Sequence, residues 1–256
     1  MKIIEFIEKY EKFCPKELAE EGDPVGLQIG SSDKEVKKIL VTLDIREQTV
    51  AEAIEKGVDL IIAKHPIIFH SLSKLTDQDS QEKLVLDLVK ADISVYISHT
   101  NIDILEKGLN HYFAELLEMT EIESLMPSGL GKVGKVEEQS LTQFIKKVKS
   151  VFHLEHLRLV TYNHDLTRKI DKVAICGGSA GKFWPEALKK EADIYITADI
   201  YYHVGLDICS TDLIVLDIGH YMEHLFIPFV TEKIRIFRKD IEILESSENT
   251  NPFYDI

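Results

Sequence analysis

The stretch Leu60-Ile61-Ile62-Ala63-Lys64-His65-Pro66-Ile67-Ile68-Phe69-His70 decides how the rest of the chain is read. Its unbroken apolar run, 60–63, is bounded by polar residues, the pattern of a parallel strand buried on both faces. Pro66 has no N–H to give to a sheet ladder, and it biases His65 towards extended geometry. The strand therefore ends here and presents His65 at its carboxyl end, the edge where open α/β sheets bind ligands.

The same shape recurs. The segments VDLIIAKH (58–65), ADISVYISHTNID (91–103), ADIYITADIYYH (192–203) and TDLIVLDIGH (211–220) each carry an Asp, an apolar run and a polar cluster containing His. Any α/β sheet repeats the front half of this pattern. The back half, with a histidine each time, points to chemistry.

Around these strands the chain alternates. A strand is expected at 38–44, a helix at 47–56 stopped by Gly57, a helix at 81–90, a strand at 93–98 and a helix at 109–117. Residues 126–135 shift to Pro, Ser and Gly, which reads as a domain boundary. A second series follows, with a helix at 141–151, strands at 157–162 and 172–176, a helix at 184–190, and strands at 193–197 and 213–218. A helix from about Tyr221 and a polar tail at 245–256 complete it. Such alternation predicts βαβ units.

Composition narrows the function. With a formal net charge of −14, the chain lacks the clustered Lys and Arg that phosphate contacts require, so nucleic acid is not the expected partner. Cys14, Cys176 and Cys209 are odd in number and widely spaced, with no C-x-x-C. That fits a reducing cytoplasm and offers no thiolate zinc site. The N-terminal MKIIEFIEKYEKF carries Glu5, Glu8 and Glu11 at helical spacing, so it reads as an amphipathic first helix and not as a signal segment.

The candidate donors are His65, His99, Asp103, Asp199, His203, His220, Glu223 and His224. Imidazole and carboxylate without Cys suit zinc, iron, manganese or nickel, and catalysis requires a coordination position left for water. His220-Tyr221-Met222-Glu223-His224 spells H-x-x-E-H, a protease signature. It follows a buried strand, however, and too little chain succeeds it to bring the distant acidic ligand that signature needs. A helix starting there would project His220 on one face with Glu223 or His224. The turn at Gly177, Gly178 and Ser179, between a strand and a helix, is either a tight structural turn or an amide cradle for an anionic group.

Taken together, GDPVGLQIG, LDI, AKHPIIF, SHTNID, VAICGGSAG, YITADIYYH and DIGHYMEH resemble the NGG-interacting-factor-three-like family, also called GTP cyclohydrolase I type 2 homologues. The resemblance covers nearly the whole chain, in the short form that lacks an inserted middle domain. It implies two interlinked α/β lobes with mostly parallel or mixed sheets and a metal site at strand carboxyl ends. Residues 1–125 plus 210–256 would form the metal-binding lobe, and 126–209 the second. It also implies a homohexamer with two divalent metals per subunit, zinc, iron or manganese. The ligands carried over by position are His65, Asp103, His220 and Glu223, with Glu223 as the bridging carboxylate and His224 as the fallback.

Lys64 departs from that pattern, standing where the family has the first of two adjacent histidines. A protonated lysine has no lone pair to give. One metal held by His65, Asp103 and Glu223, with His220 nearby and Lys64 supplying charge at the second position, is the resulting expectation. The implied activity is that of a metal-dependent hydrolase acting on a small nucleotide-like or phosphorylated substrate, with His99 and His203 as candidate general acid/base groups. A non-catalytic metal-binding scaffold or metallochaperone is the competing expectation.

Overall fold

The structure is a computed structural model and describes residues 1–254. Among these, the strands are β1 (Gly26–Ile29), β2 (Lys38–Thr42), β3 (Leu60–Ala63), β4 (Ser94–Ile97), β5 (Thr120–Ser124), β6 (Lys132–Ser140), β7 (Arg158–Val160), β8 (Lys169–Ile175), β9 (Ile194–Thr197), β10 (Ile214–Asp217) and β11 (Glu242–Glu245). They form two sheets of mixed direction, ordered β1-β4-β3-β2-β11 and β5-β6-β8-β9-β10-β7. The chain divides into one unit of Met1–Ile102 with His224–Tyr254, and a second of Asp103–Glu223.

In the first unit β2, β3, β4 and β11 run parallel, and β1 pairs antiparallel with β4. β3 and β4 are buried at every residue, as strands covered on both faces must be. On one face Leu40, Ile61 and Val95 pack with Val50 and Ala53 of the helix Glu47–Glu55 and with Leu84 and Leu88 of the helix Ser80–Lys90. Tyr10, on the amphipathic N-terminal helix Ile3–Phe13, meets Tyr96 edge to face at 5.4 Å. Phe6 of the same helix lies 6.2 Å from Phe237, at the end of the helix Phe226–Phe237.

In the second unit β8, β9 and β10 are parallel, with β6 and β7 added antiparallel on either side. Ala174, Tyr195 and Val215 on these central strands share a core with Ala187 and Ile208. The expected boundary at 126–135 is here the turn between β5 and β6, an antiparallel pair. Gly134 looks like a linker glycine but sits inside β6, where an added Cβ would come within 2.7 Å of the Thr120 carbonyl oxygen. With β5 and β10 in the second sheet, the division between units falls at 102/103 and 223/224, away from the expected 125 and 209. The short helix Tyr202–Ile208 and the edge strand β11 were not expected from the sequence.

The Asp that opens two of the repeated segments has a structural task. Asp59 Oδ2 accepts the backbone N–H groups of Lys37 and Lys38 at 2.8 and 3.0 Å. Asp193 Oδ2 accepts those of Asp171 and Lys172, both at 3.0 Å. In each case a carboxylate just ahead of one strand satisfies amides of its parallel neighbour at the point where the ladder between the two begins. Asp59→Ala is expected to lower stability by about 1–3 kcal/mol, with Asp193→Ala acting in the same direction. Urea unfolding midpoints measure both, and a change below about 0.5 kcal/mol would remove the bracing role.

Candidate metal centre

Functional side chains cluster just beyond the strands. Asp44, His65, His99 and Asp199 each lie two residues past the end of β2, β3, β4 and β9 respectively, and His220 three past β10. In the first unit the His65 and His99 rings meet edge to face, with centroids 5.9 Å apart. His65 Nδ1 lies 2.7 Å from Asp44 Oδ1, and His99 Nδ1 lies 2.8 Å from Asp23 Oδ1. A carboxylate only accepts, so each Nδ1 carries a proton, and Nε2 is the ring atom that can offer a lone pair. Thr100 also donates to Asp23, through both its N–H and its hydroxyl.

The second unit has a group of the same chemistry. His220 Nδ1 lies 2.7 Å from Asp199 Oδ2, and Nε2 lies 3.1 Å from Glu223 Oε2. The pairing with Glu223 follows from local conformation, because His220–Leu225 is a 3₁₀ helix. At three residues per turn, positions i and i+3 eclipse, which selects Glu223 over His224 as the partner of His220. Gly219, with φ +78°, makes the turn from β10 into this helix. Ser179 donates to Asp199. Gly178 is left-handed at φ +69°, and a Cβ there would reach 3.0 Å from Glu223 Oε1 and 3.5 Å from His220 Nε2. Glycine thus leaves space beside the donor atoms.

Charge follows from these contacts. The hydrogen bond to Glu223, opposed by burial and reinforced by Asp199, raises the His220 pKa to about 9. Burial pushes the Asp199 carboxyl up, but hydrogen bonds from Ser179 and His220 outweigh it and hold it below the usual carboxylate range. Asp23 behaves alike: burial raises it, and His99 and Thr100 together lower it further. The raised pKa favours an imidazolium at His220, which faces the carboxylates of Asp199 and Glu223. A divalent cation can replace the proton shared by Nε2 and Glu223, which releases that proton to solvent.

The other expected residues fall as follows. Asp103 is buried in the short helix Thr100–Ile104, and its carbonyl accepts from Asn110 Nδ2 at 3.2 Å. Asn110 Oδ1 in turn takes the Gly177 N–H at 2.8 Å. That amide is therefore committed, and an anion at Gly178 would face Glu223 and Asp199. His203 is exposed on the helix Tyr202–Ile208, its ring against Tyr202. The Lys64 side chain is fully buried. Asp23 and Asp44 were not singled out from the sequence as site residues, although Asp44 carries the same signal as His65, a polar residue directly after an apolar strand.

The family model Duf34/NIF3 (NGG1p interacting factor 3) matches residues 1–252. A "GTP cyclohydrolase 1 type 2 homolog" of Lactococcus lactis subsp. lactis is 62% identical, with the whole of both chains aligned. Among solved structures, a Bacillus cereus protein related to NIF3 superposes with a TM-score of 0.93 at 27% identity, covering 100% of this chain and 99% of its own. Reduced HcgD from Methanocaldococcus jannaschii gives a TM-score of 0.86 at 31% identity, covering 97% and 98%. With a family match along nearly its full length and a relative sharing most of its residues, the chain belongs to the Duf34/NIF3 family.

Proposed function

We propose that this is a metal-dependent, hydrolase-like protein in which His65, Asp103, His220 and Glu223 hold a divalent metal. Its substrate is a small nucleotide-like or phosphorylated molecule. The observation that carries this reading is the His220–Glu223 pair, an imidazole nitrogen 3.1 Å from the oxygen of a buried carboxylate, beside a glycine that leaves space for a ligand. The resemblance adds His65 and Asp103 to that pair as donors. Nitrogen and oxygen donors without thiolate suit zinc, iron or manganese.

When bound, the metal supplies Lewis-acid activation of water and of the group under attack. The chain's own residues bind, orient and move protons. His99, with Nδ1 committed to Asp23, has Nε2 to accept or return a proton, and exposed His203 is a second candidate for that task. The name of the L. lactis relative makes GTP the first substrate to test.

Lys64 favours a one-metal arrangement. The Lys64 side chain is fully buried next to His65 in sequence and, when protonated, places a positive charge there. It is also the observation that supports a second reading, a metal-binding scaffold or metallochaperone, since a lysine cannot complete a two-metal catalytic set. The resemblance further supports a homohexamer. No helix among the described residues is long and apolar enough to cross a membrane.

Elemental analysis of the purified protein is expected to return one tightly held metal per chain, with affinity reduced at least tenfold in His220→Ala or Glu223→Gln. Two tight metals, unchanged by Lys64→Ala, would end the one-metal arrangement. Metal-loaded protein incubated with GTP, phosphoesters and cyclic amides is expected to turn over at least one of them. No turnover above a His65→Ala/Asp103→Ala control favours the scaffold. Light scattering is expected to give six times the 29.2 kDa chain mass, and a monomer mass excludes the hexamer.

A further inference from the structure

The proposed ligand set leaves two carboxylates of the site without a task, Asp44 and Asp199. Both occur in the local pattern T-x-D-I, Thr42-Leu43-Asp44-Ile45 and Thr197-Ala198-Asp199-Ile200. Each follows a strand and meets a histidine that follows the adjacent parallel strand. β2 pairs with β3 and β9 with β10, and the Asp-to-His separation is 21 residues in both cases. Both contacts are to Nδ1, at 2.7 Å. Each carboxylate is also held by a hydroxyl donor, Thr250 on Asp44 and Ser179 on Asp199.

We infer that Asp44 and Asp199 are positioning residues for the metal ligands His65 and His220. They keep the proton on Nδ1, fix the plane of each ring and leave Nε2 as the atom that ligates. The inference rests on the proposed metal centre and adds to it the groups that decide which nitrogen binds.

The chemistry is specific to the position. An imidazole without a partner exchanges its proton between two nitrogens and rotates about its side-chain bonds, so only part of its population presents a lone pair in the required direction. A carboxylate opposite Nδ1 removes both freedoms and raises the electron density at Nε2. The hydroxyl on the same carboxylate stops the brace itself from turning. Asp199 adds a backbone observation, since it is left-handed with φ +57°. Among non-glycine residues this conformation costs about 1 kcal/mol and is tolerated chiefly by Asn and Asp. The strain is retained at the residue that aims its carboxylate at His220, as strained backbone at ligand sites commonly is.

The recurrence in two separate units strengthens the assignment. A surface Asp–His contact formed by chance would not be expected twice with the same ring nitrogen, the same strand relation and a hydroxyl on the same carboxylate. Ser179 donates to Asp199 and its hydroxyl also lies 3.3 Å from His220 Nδ1, on the braced side of the ring, while Nε2 faces Glu223.

Zinc binding to the intact chain, measured by competition with a chromophoric chelator, tests the inference without an assay of activity. Asp44→Ala and Asp199→Ala are each expected to weaken binding by about 10–100-fold, with Asp→Asn variants at the lower end because the amide oxygen still accepts from Nδ1–H. Nitrogen-15 NMR of the zinc-loaded protein is expected to show Nδ1–H at His65 and His220, and faster exchange of that proton in the variant lacking its carboxylate. Alanine variants that bind zinc as the wild type does, while His65→Ala and His220→Ala lose it, overturn the positioning role and leave the metal centre standing. A wild-type chain that binds no zinc overturns both. Should an alanine variant fail to fold, the asparagine variant decides, and an affinity within about twofold of wild type with unchanged Nδ1–H exchange overturns the role.

Discussion

Parallel strands cannot be joined by a tight turn, so each must send its chain across the sheet and back, and neighbouring strands all finish at the same edge. β2, β3 and β4 obey this in the first unit, and β8, β9 and β10 in the second. Backbone bonds hold the chain as far as the second residue past the strand, where the His65 N–H donates to the Leu43 carbonyl at 3.0 Å. Asp44, His65, His99 and Asp199 all occupy that second position. What the strands contribute to function is therefore this common edge, and the buried apolar residues behind it make the edge rigid. Ile61, Ile62, Val95 and Ile97 are fully buried for that reason, and none of them takes part in the chemistry.

Rigidity alone would leave the polar groups at the edge to find water. Instead they are paired with one another, Asp with His, and then with a hydroxyl. Asp44 and Asp199 keep part of their surface in solvent, whereas Asp23 is nearly buried and takes hydrogen bonds from Thr100 beside its contact with His99. Glu223 is almost completely buried, with His220 as a neighbour. A carboxylate in that position needs a cation or a proton close by. His220 supplies the charge in the metal-free chain, and the same requirement makes the place suitable for a metal. The acidity and the burial of the site are two sides of one arrangement.

Much of this was legible from residue order. β3 is 60–63, as its apolar run indicated, and the helix Leu141–Val151 has the expected limits. The N-terminal helix buries Ile3, Phe6, Ile7 and Tyr10, the face its glutamates left apolar. What failed did so where one residue type serves two physical purposes. Gly134 signals a linker by composition, yet the strand needs it because a neighbouring carbonyl leaves no room for a side chain. Residue order placed Glu223 ahead of His224, but the 3₁₀ turn that sets Glu223 beside His220 is a detail that periodicity over five residues cannot express. The Asp–His pairs join residues 21 apart on different strands, and only the register of the parallel ladder brings them together.

Lys64 shows how these constraints bear on mechanism. Its backbone N–H continues the β3 ladder by donating to the Thr42 carbonyl at 3.2 Å, and its side chain is fully buried. A histidine there would offer a lone pair, whereas an ammonium offers protons and a charge that does not exchange with solvent metal. Under the proposed one-metal arrangement, the balance of charge between acidic groups and cations is preserved while the number of centres able to activate water is halved. A fixed ammonium can stabilise a developing negative charge or hold an anionic group of the substrate, but it cannot deliver a nucleophile. Under the same proposal, proton transfer would fall to an imidazole whose Nδ1 is already committed, such as His99, which is held by Asp23 and in ring contact with His65.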